Sequence, residues 1–451
     1  MEKIRGVGKI KEVTMDIKAL KRLVADFKVS TMQKQIEGDT YYRTKNISIT
    51  NREKTFWGIG QNRMLKDYTK ANNILASNFT RIIVDQKVQY SINKKMVIEG
   101  IEEFVDIKKF KKTLGKLARN ASNQIYAVLQ WYIDNGELKY KILPSQQCIL
   151  IHNADDNTIL DMVIRVYSVA GKEHVDVITK STVETYNEEY KLIDTKNHLR
   201  KNIVAGDREI ESNAIEWDVL PITVLYNNDI NQTDLEMFKT YVDAYDFANS
   251  DFFNNLEDFQ EMYWILKGYD GQNPEEFMAE FKRSRILKVG ENGDAQQVAQ
   301  EVPYQARQVA LDIAKKDIYR FGMGVDPESI KGDTTNVTIK ALFANLDLKA
   351  NHFEMQIEEF MEQVIEVVNA YAGLTNKGTI TDYEITFNRE TIINKESLLE
   401  TLQKLGVKIS NDTLLKNTPI VEDIEEENAL LDAEKEKENK SLGGNLGFGD
   451  E

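Results

Sequence analysis

The 451-residue chain contains little proline and almost no cysteine. Its six prolines leave room for long helices, because proline removes a helical hydrogen-bond donor and clashes with the preceding turn. The one cysteine, Cys148, excludes a disulfide framework and a cysteine-based zinc site within this chain. The sequence has no run near the roughly 18 apolar residues of a membrane span. Residues 1–15 lack the apolar segment of a secretory signal, so we expect neither feature.

Positive charge is also in deficit. The chain has 58 basic and 73 acidic residues, which give a net charge of −15. Proteins gain affinity for nucleic acid when clustered lysines and arginines displace counterions. A role beside DNA would therefore be one that avoids tight binding. The alternative interpretation is that the negative charge only aids solubility.

Catalytic and metal-binding motifs are lacking as well. The segment at Gly6 follows no predicted strand, and no Gly-rich turn continues into the GK[ST] of a phosphate-binding loop. No GxSxG elbow is present. The four histidines, which are far apart and have no metal-ligand spacing, are His152, His174, His198 and His352. We predict no catalytic residue, no metal site and no cofactor, although a metal-dependent nuclease built from scattered carboxylates stays open.

The hydrophobic pattern predicts an α+β fold that is mainly helical. Helices are expected over residues 16–37, with Gly38 as a stop, and over 71–90 and 107–121. Asp134-Asn135-Gly136 predicts a hairpin, because Asn and Gly tolerate positive φ. Further strands are expected at residues 149–151, 159–169, 174–178, 190–193 and 221–226. Beyond residue 231 we predict helices over 234–266, 305–321 and 338–371, and a strand over 383–387.

The predicted helix over residues 234–266 has an apolar heptad pattern with one polar exception, Asn249. Other apolar residues lie off this seam, so a neighbour on each side is expected, as in a ring of identical subunits. The rest of the helix is acidic, which indicates either a solvated face or a wall that must not bind a polyanion. The acidic residues concerned are Asp243, Asp246, Asp251, Glu257, Asp258 and Glu261.

The one basic cluster lies in the Gly-containing insertion after this helix. It is either a solvated turn or a docking patch for an acidic partner. Its members are Lys282, Arg283, Arg285 and Lys288.

Short strings spread over residues 35–435 resemble the portal proteins of tailed bacteriophages, of the siphovirus type found in Gram-positive hosts. The strings include Asn78-Phe79, residues 84–90, Leu220-Pro221-Ile222, residues 255–258, residues 345–350 and residues 419–427. The chain departs from the family at Asn336-Val337, where Ser-Gly is usual.

The resemblance implies the portal fold with its wing, stem, clip and crown. The implied segments are a wing over 1–233, a first stem helix over 234–268, a clip over 269–304, a second stem helix over 305–324, a tunnel loop over 325–337, a long wing helix and strand over 338–390, and a crown over 391–438. Composition predicts a disordered tail over 439–451.

The resemblance also implies a function without enzymatic activity. The chain would form a ring, typically of twelve subunits, at one capsid vertex, through which DNA is packaged and ejected. Implied partners are a large terminase motor, a head–tail adaptor, the major capsid and scaffold proteins, and double-stranded DNA bound without sequence specificity. The protein would lie in the virion, and in the host cytoplasm during assembly, with no membrane.

Within that scheme the basic cluster would serve partner docking at the clip. The implied DNA contacts of the tunnel loop are Lys331, Asp333, Thr334, Thr335 and Asn336. Two alternatives stay open: another capsid or scaffold assembly protein, and a nuclease fused to an assembly domain.

Overall fold

The fold is described from a computed structural model. It describes residues 16–58, 62–67, 70–93, 95–134, 136–197, 202–205, 208–211, 219–258, 263–267, 294–298, 304–330, 336–375 and 377–389, with 428, 430 and 431. The chain divides into two compact units. One comprises Met1–Gly324 and Leu346–Arg389, and the other comprises Val325–Asn345 and Glu390–Glu451. The wing, stem, clip and crown boundaries stay predictions.

The helices of the described residues are α1 (Ile17–Val29), α2 (Thr31–Tyr42), α3 (Ile47–Thr50), α4 (Phe79–Ser91), α5 (Ile107–Gln124), α6 (Lys239–Asp258), α7 (Tyr304–Phe321) and α8 (Asn336–Thr375). The strands are β1 (Thr55–Gly58), β2 (Arg63–Lys66), β3 (Val97–Glu99), β4 (Tyr126–Asp134), β5 (Glu137–Leu143), β6 (Cys148–His152), β7 (Leu160–Val169), β8 (Lys172–Ile178), β9 (Thr182–Tyr186), β10 (Leu192–Asn197), β11 (Asn202–Ala205), β12 (Arg208–Glu211), β13 (Ile222–Tyr226), β14 (Tyr263–Lys267), β15 (Asp294–Val298) and β16 (Glu384–Thr386).

Two antiparallel sheets dominate the larger unit. One has three strands in the order β13–β4–β5, and the other has five in the order β10–β9–β8–β7–β6. The predicted hairpin is confirmed as β4–β5, and Gly136 adopts the positive φ of +80° that its turn requires. The prediction missed β9, whose five residues alternate weakly between apolar and polar side chains.

The main core lies where α5 and α8 pack beside β4. Phe110 of α5, Trp131 of β4 and Phe360 of α8 are each at most 1% exposed. The Trp131 indole Nε1 donates to Thr223 Oγ1 on β13 over 3.1 Å, so this buried donor is satisfied. The core therefore joins the three-stranded sheet to the second half of α8.

The prediction of one helix over residues 16–37 is wrong. The backbone breaks at Ser30, where ψ is −88°, and α2 then continues through Gly38. A Cβ on Gly38 would lie 2.0 Å from the carbonyl oxygen of Asn123 in α5. Glycine is thus present because two helices approach closely, and it does not end a helix.

The helix predicted over residues 71–90 begins only at Phe79. The backbone N–H groups of Asn73, Leu75 and Ser77 donate instead to side chains of α6. These tertiary hydrogen bonds hold the segment extended, because an amide bound in this way is not available for a helical bond.

The prediction of one helix over residues 234–266 is wrong at both ends. A short 3-10 turn, Leu235–Met237, precedes α6, and Tyr263–Lys267 is a strand that pairs antiparallel with β15. Tyr263 and Leu266 are apolar, so they fit a heptad pattern, but the run Tyr-Trp-Ile-Leu also has high β propensity. These residues form a strand and not a helix because they pair with β15, which is distant in sequence.

The later helices are close to the predictions. The helix predicted over residues 305–321 is confirmed as α7. The one predicted over 338–371 is confirmed as α8, which is longer and passes through Gly373. The predicted strand over 383–387 is confirmed as β16, which pairs with β3. The predicted crown lies outside the described residues except for 428, 430 and 431, and the predicted tail lies wholly outside them.

Candidate functional site

Helices α6 and α7 form an antiparallel pair. The ring of Tyr241, near the start of α6, stacks on Phe321 at the end of α7, with centroids 4.9 Å apart and an angle of 17° between the planes. Phe252, further along α6, meets Tyr304 at the start of α7 with centroids 5.9 Å apart. The start of one helix thus lies beside the end of the other.

The α6–α7 pair leaves large apolar side chains exposed. On α6, Phe253 and Leu256 are each 45% exposed, and on α7, Val309 and Ile313 are each 55% exposed. On each helix the two side chains are three or four residues apart and share one face. Clustered exposed apolar side chains of this kind mark a site of association. The pair therefore provides a surface that a further protein can cover.

Asp243 and Asp246 of α6 hold the N-terminal segment of the same chain. Asp243 accepts hydrogen bonds from the hydroxyls of Tyr41 and Ser48, both over 2.6 Å. Asp246 is fully buried and accepts from the Asn46 side-chain amide and, over 2.9 Å, from the Ser77 backbone N–H. Burial raises the pKa of Asp246 above its ordinary value, although these hydrogen bonds oppose the shift.

Asp251 is paired with Arg52 and, over 3.5 Å, with Lys54. Partial burial raises its pKa, but the Arg52 hydrogen bond and the two cations lower it more, so the pKa lies below its ordinary value. Asp246 therefore does not belong to an exposed acidic face, whether solvated or a channel wall, because buried donors need its carboxylate. Glu257 is exposed, Asp258 is the last residue of α6, and Glu261 lies outside the described residues.

A buried ion network lies just before α6. Lys87 of α4 and Lys349 of α8 approach the two carboxylate oxygens of Asp234 to 2.9 and 3.0 Å. Asn227 donates to Asp234 Oδ1 over 2.9 Å and accepts from Lys87 over 2.6 Å. All four residues are buried. We call Lys87, Asn227, Asp234 and Lys349 the junction network.

Burial and charge act in opposite directions on the junction network. Burial raises the pKa of Asp234, but the two lysines lower it more, so its pKa lies far below the ordinary value. Burial lowers the pKa of Lys87 to about 8, against the attraction of Asp234. The Lys87 ammonium also lies 4.3 Å from the centroid of the Phe353 ring. The carboxylate is therefore held ionised between two cations.

The network also fixes the end of α7. Lys349 Nζ donates to the carbonyl oxygen of Gly322 over 2.8 Å. A Cβ on Gly322 would lie 2.6 Å from the Ile83 side chain of α4. One cluster of charges thus connects α4, the chain before α6, the end of α7, and α8.

Several residues predicted to act at sites cannot be placed. Outside the described residues are Lys282, Arg283, Arg285, Lys288, Lys331, Asp333, Thr334 and Thr335, while Asn336 is the first residue of α8. Among the described residues, no group of three or more His, Cys, Asp or Glu side chains is arranged to hold a metal ion. In the same part of the chain, no helix is long and apolar enough to cross a membrane.

Sequence reasoning missed Lys87 and Lys349 as members of a site. Each occupies a buried position on a helix whose neighbouring buried positions are apolar, such as Val84 and Val88 beside Lys87. A lysine is almost never buried without a partner. The available signal was a lysine within the apolar stripe of a helix, which predicts that a buried carboxylate lies beside it.

Comparison with known proteins identifies the class. The model of the family described as "Phage portal protein, SPP1 Gp6-like" matches residues 29–441. This chain belongs to that family. It is 28% identical over 427 residues to the portal protein of Bacillus phage SPP1, covering 88% of this chain and 83% of that protein. It is 26% identical over 440 residues to the portal protein of Clostridium phage phiCD119, covering 92% of this chain and 95% of that protein. The portal resemblance and the α+β class are both confirmed.

Chains in solved structures of gene transfer agent particles are similar to part of this chain. A chain in the virion of a native gene transfer agent particle has a TM-score of 0.41 and 11% identity, over 82% of this chain and 97% of that chain. A chain in the neck of the native particle, computed with C12 symmetry, has a TM-score of 0.43 and 10% identity. The match covers 77% of this chain and 91% of that chain.

Proposed function

We propose that this portal protein assembles into a ring of about twelve subunits, and that the α6–α7 pair is its stem. The exposed apolar side chains of the pair carry the proposal. Phe253, Leu256, Val309 and Ile313 lie on two helices that already pack together, yet they stay 45–55% exposed. A neighbouring subunit on each side would bury them, and in a closed ring every copy has two such neighbours.

The ring would act as a channel for double-stranded DNA at one capsid vertex. It would also be the platform for a large terminase motor and a head–tail adaptor, and would contact the major capsid and scaffold proteins. Family membership and the two-helix pair support this role. The protein would be part of the virion, and would be in the host cytoplasm during assembly. The basic cluster at Lys282 and the polar loop at Lys331 stay proposals for partner docking and DNA contact.

The acids of α6 are proposed to have two roles. Asp243 and Asp246 stabilise the subunit, because their hydrogen-bond donors belong to the same chain. Glu257, which is exposed, is a candidate for the channel wall, where it would repel DNA phosphates at short range.

Mass photometry and negative-stain microscopy test the ring directly. Twelve copies of a 51.9 kDa chain give a particle of about 620 kDa with a central hole. The stem is tested by changing Val309→Ser together with Ile313→Ser, which we expect to lower the ring fraction at least tenfold. The matched control changes Val169→Ser and Ile193→Ser, each 53% exposed but outside the α6–α7 pair. A wild-type chain that stays monomeric at every salt and protein concentration overturns the proposal.

We propose further that the chain has no chemistry of its own. The expected result is intact plasmid DNA after incubation with Mg²⁺ or Mn²⁺. Cleavage that is lost on a single Asp→Ala change would instead establish a nuclease.

A further inference from the structure

Helix α5 has a basic face formed by three exposed lysines. Six of its residues are lysine or arginine, and none is acidic. Its apolar side, with Phe110, is buried in the core. Lys109, Lys112 and Lys116 are exposed and are separated by three and four residues, so they share one face. None of these three lysines forms an ion pair with any described residue.

Helix α8 has an acidic face with the same spacing. Glu359, Glu362 and Glu366 are exposed, are also separated by three and four residues, and form no ion pair in the described part of the chain. They line an open cleft of about 420 Å³. Burial, and then repulsion by Asp229 and Glu362, raises the pKa of Glu359. Lys180 also lines this cleft, but it forms no ion pair with the three glutamates.

The two faces lie at opposite edges of the three-stranded sheet. On α8, Gln363 accepts from the Val224 backbone N–H of β13 over 2.9 Å, which places the glutamates beside that strand. On α5, the Lys109 ammonium lies 5.9 Å from the centroid of the Tyr140 ring on β5. In the sheet order β13–β4–β5 these are the two outer strands, roughly 10 Å apart. The two triplets therefore lie beside different strands, and they form no ion pair with each other within one subunit.

We propose that the basic face of α5 in one subunit docks on the acidic face of α8 in the next subunit of the ring. This inference rests on the proposed ring. A head-to-tail contact joins two different patches of identical subunits, as these faces would be. Both triplets span about 10 Å of helix at 1.5 Å per residue, so three lysine–glutamate pairs can form at once. Like faces repel, and so the contact also fixes the direction in which subunits join.

Paired charge reversals test the contact. One variant carries Lys109→Glu, Lys112→Glu and Lys116→Glu. The other carries Glu359→Lys, Glu362→Lys and Glu366→Lys. We expect each variant alone to lose the ring at least tenfold in mass photometry at low salt, because its interfaces then bring like charges together. A mixture of the two variants restores rings, since every interface again joins opposite charges, and these rings contain both variants in alternation.

The mixture keeps the test valid even if one variant is less stable, because a misfolded chain does not regain assembly when mixed. The control variant carries Lys18→Glu, Lys45→Glu and Lys172→Glu, which change the net charge by the same amount as the lysine reversal but at exposed sites elsewhere. We expect it to form rings as the wild type does. Rings from each reversed variant alone at wild-type levels overturn the docking proposal and leave the ring intact. So does a mixture that forms no ring although both variants have the circular dichroism spectrum of the wild type. A wild-type chain that forms no ring overturns the proposed function instead.

Discussion

The two ends of α6 differ in what they contact. Just before the helix, Asp234 is 2% exposed and lies between two lysines of its own subunit. Near the other end, Phe253 and Leu256 are each 45% exposed. The first end is fixed within the subunit by charge, and the second presents apolar surface. One helix can thus be both an internal support and an assembly surface, because the two roles lie on different turns.

The energies of the ion pairs at the two ends should differ for a physical reason. A buried carboxylate that is removed leaves its cations unpaired in a medium that solvates them poorly, which costs several kcal/mol. A partly exposed pair such as Asp251–Arg52 is screened by water and salt, and such pairs contribute about 0–1 kcal/mol.

The largest expected effect comes from Asp234→Asn. This change leaves Lys87 and Lys349 buried together without a compensating charge, so we expect the free energy of unfolding to fall by about 3–5 kcal/mol. Urea denaturation followed by tryptophan fluorescence measures it. The matched control is Asp251→Asn, for which about 0–1 kcal/mol is expected. Equal losses in the two variants would show that burial does not distinguish the two ends.

A smaller loss in the free energy of unfolding is expected from Gly38→Ala, where α2 lies against α5. The added methyl would meet the Asn123 carbonyl oxygen at 2.0 Å and the Thr233 side chain at 3.3 Å. Overpacking of this kind costs about 1–3 kcal/mol. In contrast, Gly115→Ala meets only the Arg119 guanidinium at 3.8 Å, and should stabilise α5 by about 0.5–1 kcal/mol. Thermal unfolding compares the two, and a stabilised Gly38→Ala protein would disprove the close approach of α2 and α5.

The smallest effect is a dependence on pH near the pKa of Lys87. Burial lowers this pKa to about 8 from the 10.5 of a free lysine. Between these values the unfolded chain binds more protons at Lys87 than the folded chain, so the free energy of unfolding rises with pH. We expect a rise of about 1 kcal/mol from pH 8 to pH 9 that is missing in Lys87→Met. Parallel stability curves for the two proteins would contradict it.

Local patterns were predictable from the sequence. The β4–β5 hairpin is encoded by adjacent residues, with Gly136 at a positive φ, and α7 follows from its periodicity. The family was also predictable, because the resemblance is carried by short strings of adjacent residues. The basic cluster at Lys282 and the loop at Lys331 stay predictions.

Long-range pairings were not predictable in the same way. The end of α6 depends on pairing between β14 and β15, which are separated by residues 268–293. The junction network joins residues 87, 227, 234 and 349, and no short window of sequence contains them together. Asp246 was grouped with the exposed acids of the helix, because helical spacing does not reveal that Ser77 and Asn46 donate to it.

The β14–β15 ribbon brings together two parts of the chain that are far apart in sequence. Its register, from Tyr263↔Val298 to Lys267↔Asp294, holds the two ends of residues 268–293 on neighbouring strands. The entropic cost of closing a loop grows only slowly with its length. The connection between two strands paired in this way can change in length at a small cost in free energy, while the spacing of the strands that carry it stays the same.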